Sequence, residues 1–216
     1  MLGLGTSLTK GAALVARYIR DGLKLYMPYR GGDSDEVKFV GTGSTSFDGD
    51  NDRITVADAS NLDPLANDFS IALWFKNTGN DGAVNSIMFR RDGDDTGYAL
   101  FISAGGLLTF QLDDDGTEVT LDASGDIGAD GLWHHGAIVC DRSDKAYIYI
   151  DGVLNDEIAI TSVSDSIDIT TILYIGVNSS STLYFEGNLK NIAIWNRVLT
   201  ATEVQNVMYK TYDEVG

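Results

Sequence analysis

Asp130-Gly131-Leu132-Trp133-His134-His135-Gly136-Ala137-Ile138-Val139-Cys140, followed by Ala146-Tyr147-Ile148-Tyr149-Ile150-Asp151-Gly152-Val153-Leu154, is the stretch that decides the fold. Its apolar runs are short, bounded by Asp, Gly and Ser, and rich in β-branched and aromatic residues, which reads as strands. Asp151-Gly152 between two such runs is a strong two-residue hairpin signal, because both positions tolerate positive φ. Working outward, the same pattern recurs, and strands are expected over 23–29, 53–56, 69–76, 86–90, 98–103, 107–112, 118–121, 132–140, 146–150, 172–175 and 189–195. Gly105-Gly106 joins two of them in the same manner. At least eleven strands in one domain exceed an immunoglobulin module and point to a larger antiparallel sandwich.

Helix enters at two places. Thr200 and Glu203 form a capping box ahead of Ala201–Tyr209, whose Val204, Val207 and Met208 define a docking face. Residues 1–20 place Leu8, Ala12, Val15, Ala16 and Ile19 at roughly helical spacing among Lys10, Arg17 and Arg20, which reads as an attachment arm with a short helix. The expected organisation is therefore an arm at 1–20, a sandwich at 21–199, and a helix and tail at 200–216 packed on the sandwich.

The composition narrows the function. The chain has 216 residues with 15 basic and 32 acidic side chains, a net charge of −17. Such an excess disfavours nucleic acid, whose phosphates call for a basic surface. A single cysteine, Cys140, excludes an internal disulfide framework and a thiolate zinc site. No apolar run is long enough to span a bilayer, and Met1–Lys10 lacks the basic start and cleavage site of a signal peptide.

Four segments in order resemble the laminin-G-like branch of the concanavalin A-like lectin and glucanase superfamily. Residues 46–56 (SFDGDNDRITV) are similar to its S-F-D-G-x-x-D-x-V-x-V strand and turn, and 69–76 (FSIALWFK) to its F-T-I-x-x-W-V-K strand. The stretch quoted first is like D-G-x-W-H-H-V-A followed by L-Y-V-D-G. Leu173-Tyr174-Ile175-Gly176, Phe185-Glu186-Gly187 and 192–200 resemble the closing strand and the N-R-x-L-T turn before a short helix. The resemblance covers roughly residues 23–209 and implies an all-β jelly-roll sandwich of two stacked antiparallel sheets. It implies no reaction, since this fold carries lectins, carbohydrate-binding modules, glycosidases, lyases and adhesion domains.

Candidate sites follow from residue chemistry. His134 and His135, the two histidines, are adjacent on a strand and point to opposite faces, so they cannot share a metal and are read as structural. A glycosidase of the superfamily would place paired carboxylates in an E-x-D-x-x-E pattern, which is missing here, so no catalytic residue is assigned and no enzymatic activity is expected. Asp48, Asp50 and Asp52 have the alternate spacing of a Ca²⁺ loop, but they equally suit a hydrogen-bonded solvated turn, the reading preferred here. Relatives place an acidic pair for calcium just before the final strand, where this sequence has Lys190 and Asn191. The acidic runs at 92–95 and 113–115 are read as solvated hairpin tips. Tyr98, Trp133, Tyr149, Tyr184 and Trp195 are the candidates by residue type for stacking on a sugar.

Met1-Leu2-Gly3-Leu4-Gly5-Thr6-Ser7-Leu8 resembles the start of small structural proteins of tailed phages, in which one lectin-like domain follows a short arm. The expectation is a non-catalytic capsid decoration, cement or fibre component at the virion surface. It would be held to other virion proteins by its arm, assembled in multiple copies and open to host-surface glycan. The alternative is a stand-alone, extracellular carbohydrate-binding module or lectin.

Overall fold

The structure, a computed structural model, describes residues 21–27, 38–40, 43–58, 60–79, 82–92, 96–128 and 130–209. The arm at 1–20 and the tail beyond residue 209 lie outside the described residues. In chain order the strands are β1 (Leu23–Met27), β2 (Lys38–Val40), β3 (Ser44–Asp48), β4 (Ile54–Val56), β5 (Phe69–Asn77), β6 (Asn85–Asp92) and β7 (Thr96–Ile102). There follow β8 (Leu108–Asp114), β9 (Glu118–Asp122), β10 (His134–Cys140), β11 (Lys145–Ile150), β12 (Val153–Ala159), β13 (Leu173–Ile175), β14 (Glu186–Trp195) and the helix α1 (Ala201–Tyr209).

Two antiparallel sheets stack face to face. The large sheet runs β12-β11-β10-β5-β14-β3-β2, with β1 added on β14, and the small sheet runs β4-β13-β6-β7-β8-β9. Alternation along each strand builds the core. Phe69, Ile71, Leu73 and Phe75 of β5 point inward at 0–3% exposure, against Met88, Leu100, Leu108 and Phe110 of the small sheet. The expected sandwich is therefore the observed fold. The Asp151-Gly152 turn has φ of 51° and 77°, and Ile150 faces Val153 across it, the two-residue hairpin expected.

β2 and β3 are strands beyond those expected, and three other features also depart from expectation. β10 begins at His134, because Asp130 Oδ1 accepts the N–H of Leu132 at 2.8 Å and folds the preceding residues into a turn. β12 runs seven residues although Asn155, Asp156 and Glu157 interrupt its apolar residues; it lies at the sheet edge, where polar side chains reach water. Asp113 and Asp114 are each only 7% exposed, so the acidic run at 113–115 is partly buried and bonded rather than a solvated tip.

Arginine fastens the irregular segments to the sheets. Arg90 of β6 is fully buried and points into the sandwich. Its Nε and Nη2 donate to Asp63 Oδ1 at 3.1 and 2.6 Å, and Nη2 also reaches Asp58 Oδ1 at 3.0 Å. Nη1 donates to the carbonyl of Thr171 at 2.7 Å and Nη2 to that of Ile169 at 3.2 Å. One guanidinium thus ties two connections to β6, offsetting its desolvation with charge-assisted bonds. Arg90→Leu should lower unfolding stability by about 3–5 kcal/mol, the cost of leaving a buried partner charge uncompensated. Denaturant titration reads this directly, and an unchanged midpoint would contradict the role given to Arg90.

Candidate functional site

The outer face of the large sheet is largely closed. Ala72, Ala137, Val139, Tyr149, Ala193 and Trp195 form a second apolar layer there, and α1 covers it through buried Val204 and Met208 and partly buried Val207. The helix is held by its cap. Thr200 Oγ1 accepts the N–H of Glu203 at 3.3 Å, Glu203 Oε2 accepts the N–H of Thr200 at 2.8 Å, and Arg197 donates to both Glu203 oxygens at 3.1 and 2.7 Å. Trp74 Nε1 donates to the carbonyl of Met208 at 3.2 Å, at the far end of the helix.

The outer face of the small sheet has no such cover among the described residues. Tyr174 of β13 stands opposite Phe89 of β6, and Phe89 opposite Ala99 of β7; Phe101 of β7 stands opposite Ser86. Tyr174, Phe89 and Phe101 are half-buried, whereas Ala99 beside them is 1% exposed. Three half-buried rings around a small, buried alanine make an apolar row along this face, a shallow trough by side-chain size alone. Gln111, opposite Ala99 on β8, and Thr120 on β9 continue the same row with polar groups.

One end of the trough is closed by a charged network. Arg91, Gly97, Asp113 and Glu118 stand opposite one another across β6, β7, β8 and β9. Arg91 reaches across β7 to donate to Asp113 Oδ2 at 2.8 Å, Gln111 Oε1 at 3.1 Å and Glu118 Oε2 at 3.0 Å. The strand it crosses carries glycine at that rung. A Cβ on Gly97, whose φ is 134°, would lie 2.1 Å from the carbonyl oxygen of Arg90, so the position admits glycine alone and leaves a gap for the guanidinium. Burial raises the pKa of Asp113, opposed by the N–H of Asp115 and the Arg91 charge. Both carboxylates share one guanidinium, which orients them as fixed acceptors.

The residues expected from sequence fall into different settings. Tyr98, Tyr149 and Trp195 are 1%, 8% and 2% exposed, so they are core and unavailable for stacking. Trp133 and Tyr184 remain half-buried, on segments other than the trough. The platform residues Phe89, Phe101 and Tyr174 were not singled out by sequence; the signal that could have found them is their position out of phase with Met88, Tyr98 and Leu173. In the acidic turn, Asp48 Oδ1 accepts the N–H groups of Asp50 and Asn51 at 2.9 and 3.2 Å, and Asp52 Oδ2 accepts the N–H of Asp48 at 3.1 Å. The N–H groups bonded to its carboxylate, that of Asp50 first, lower the pKa of Asp48. Among the described residues no group of three or more His, Cys, Asp or Glu side chains is placed to hold a metal ion, and no helix is long and apolar enough to cross a membrane.

His134 and His135 do face opposite ways. His135 lies against Trp74 on the outer side, ring centroids 5.5 Å apart, and burial pushes its pKa down to about 4. His134 is clamped, with Nδ1 2.9 Å from Asp151 Oδ2 and Nε2 3.0 Å from Asp130 Oδ2. Only the imidazolium can donate from both nitrogens.

The chain belongs to the Concanavalin A-like lectin/glucanases superfamily, whose laminin G family matches residues 48–205. No curated protein matches the sequence. Similar solved structures include the binding domain of Paraclostridial Mosquitocidal Protein 1, with a TM-score of 0.74 at 16% identity over 88% of this chain and 52% of that one. The botulinum neurotoxin serotype D ligand binding domain in complex with N-acetylneuraminic acid gives 0.73 at 16% identity over 90% and 52%. The binding domain of botulinum neurotoxin DC in complex with rat synaptotagmin II gives 0.70 at 16% over 88% and 52%. These likenesses are of fold, and the chain spans about half the length of each structure.

The His134 clamp has a pH signature. Burial favours the neutral ring, but the Asp130 and Asp151 carboxylates outweigh it and raise the pKa above the ordinary imidazole value. Its contribution is therefore complete below about pH 6.5, the unfolded value, and is lost as pH rises through the folded one. Because both carboxylates are partly exposed, the effect is of the order of 1 kcal/mol at most, about 2–4 °C in a chain of this size. Melting temperature should fall between pH 6 and 9 more steeply in the native protein than in His134→Gln; parallel curves would refute the clamp.

Proposed function

We propose that this protein is a non-catalytic glycan-binding module whose contact surface is the trough on the small sheet. The observation that carries the reading is the asymmetry of the two outer faces: α1 closes one, while the other leaves Phe89, Phe101 and Tyr174 half-buried beside an ordered polar network. Flat aromatic rings receive the C–H face of a sugar, and Gln111 and Glu118, held in place by Arg91, supply fixed partners for its hydroxyls. A hydrolase would need one carboxyl free to protonate and a second free to attack. Asp113 and Glu118 are both committed to Arg91. The same fold occurs in binding domains solved with a sugar acid and with a protein receptor, which supports a binding role. Calcium is not required in this reading, since the acidic turn already closes on backbone N–H groups.

The test is a glycan array followed by titration with the best neutral oligosaccharide. Phe89→Ala and Tyr174→Ala should each weaken binding about tenfold, near 1.4 kcal/mol, with little change in melting temperature. Full affinity in both variants, or release of reducing sugar by the native chain, would overturn the proposal.

The module's display is a second part of the proposal. Residues 1–20 carry an apolar stripe and basic side chains that contrast with the acidic body, which suits attachment to a larger assembly, and the first eight residues resemble tailed-phage structural proteins. We infer a place at the virion surface, held by the arm, with the sandwich facing outward. Deleting residues 1–20 should leave a folded sandwich that no longer joins particles; normal incorporation of the truncated chain would contradict this placement.

A further inference from the structure

A second cluster lies on the outer face of the large sheet, bordering the far end of α1, where Trp74 bonds the carbonyl of Met208. Trp74 of β5 stands opposite Lys190 of β14, and one rung further Lys76 stands opposite Asn188, which itself faces Ser46 of β3. All five side chains are half-buried. Trp133 folds over them from the turn before β10, with its ring centroid 4.3 Å from Lys190 Nζ; the Trp74 ring lies 5.2 Å away on the same ammonium. The His134 clamp holds that turn, since His134 is the next residue and Asp130 caps it.

The charges are distributed unevenly. In a chain with 32 acidic and 15 basic residues, a lysine beside a carboxylate is the expected arrangement. Arg90, Arg91, Lys145 and Arg197 each hold at least one. Lys190 and Lys76 hold none among the described residues. Burial beside the indoles lowers the pKa of Lys190, so its ammonium is partly dehydrated, and among the described residues its partners are ring faces. Cation–π contact offsets part of that cost and leaves N–H donors without an oxygen partner.

We infer that this cluster is a second ligand site, one for an anionic sugar whose carboxylate or sulfate lies on Lys190 and Lys76. The remaining groups match the rest of such a ligand. Asn188 and Ser46 offer an amide and a hydroxyl to ring hydroxyls, and Trp133 an aromatic surface to C–H groups. The next rung holds Glu186 opposite Asp48, two carboxylates that accept from hydroxyls and repel a second acid. The site therefore selects a hydroxyl-rich molecule with its acid at one end. It shares no residue with the trough.

The experiment titrates the full chain with 3′-sialyllactose, with lactose as the neutral counterpart and with a sulfated disaccharide, reading heat and intrinsic tryptophan fluorescence. At least one acidic sugar should bind tenfold or more tightly than lactose, perturb tryptophan emission and weaken as salt is raised; which of the two does so identifies the acid. Lys190→Gln and Lys76→Gln should each lower that affinity about tenfold, and Lys145→Gln should leave it unchanged. If Lys190→Gln fails to fold, Lys76→Gln decides. Equal affinity for the neutral and acidic sugars would overturn the inference. So would acidic-sugar binding that is abolished by Phe89→Ala and unaffected by the lysine variants, which would assign that ligand to the trough.

Discussion

A sandwich of two sheets has two outer faces, and within the described residues this chain has one α-helix with which to cover them. That constraint organises the rest of the structure. The large sheet places Ala72, Ala137 and Ala193 side by side on its outer surface, and small residues let α1 approach closely enough to bury Val204. The capping box at Thr200 and the Arg197–Glu203 pair fix the helix start, so the lid is held from its first turn. The small sheet has no equivalent among the described residues. Its outer surface must be stable against water by itself, and it is built from aromatic rings around Ala99 and a crosslinked row of charges.

Arginine and lysine have separate roles in this acidic protein. Arg90, Arg142 and Arg197 each donate to backbone carbonyls of connecting segments, using the several donors of a guanidinium to bind more than one loop at once. Arg91 does the same between strands, over the gap at Gly97. Lys76 and Lys190, in contrast, present single ammonium groups on an outer face and hold no carboxylate among the described residues, Lys190 meeting the rings of Trp74 and Trp133 instead. Cations that hold carboxylates and carbonyls are thereby distinguished from Lys76 and Lys190, a distinction the net charge of −17 conceals.

Much of the fold was legible because local and global signals agree. Phe69 to Lys76 is a short apolar and aromatic run bounded by polar residues, Asp151-Gly152 can hardly be anything but a tight hairpin, and Thr200 with Glu203 marks the helix start. The site was less legible. Tyr98-Ala99-Leu100-Phe101-Ile102 is apolar at every position, so period two cannot tell which residues face the core; the buried Tyr98 therefore looked as available as the half-buried Phe101. Trp195 and Tyr149 misled for a related reason: they do point outward from the large sheet, but α1, distant in sequence, covers them. The Arg91 network depends on a side chain crossing a strand at Gly97, which no local pattern announces.

The central claim is that ligand meets the open face of the small sheet. Amide hydrogen exchange of the full chain, with and without a saturating neutral oligosaccharide, measures this directly. The account predicts added protection in β6, β7 and β13, with α1 and the large sheet unchanged. Protection confined to the loops between strands or to the large sheet, with β6, β7 and β13 unaffected, would contradict it.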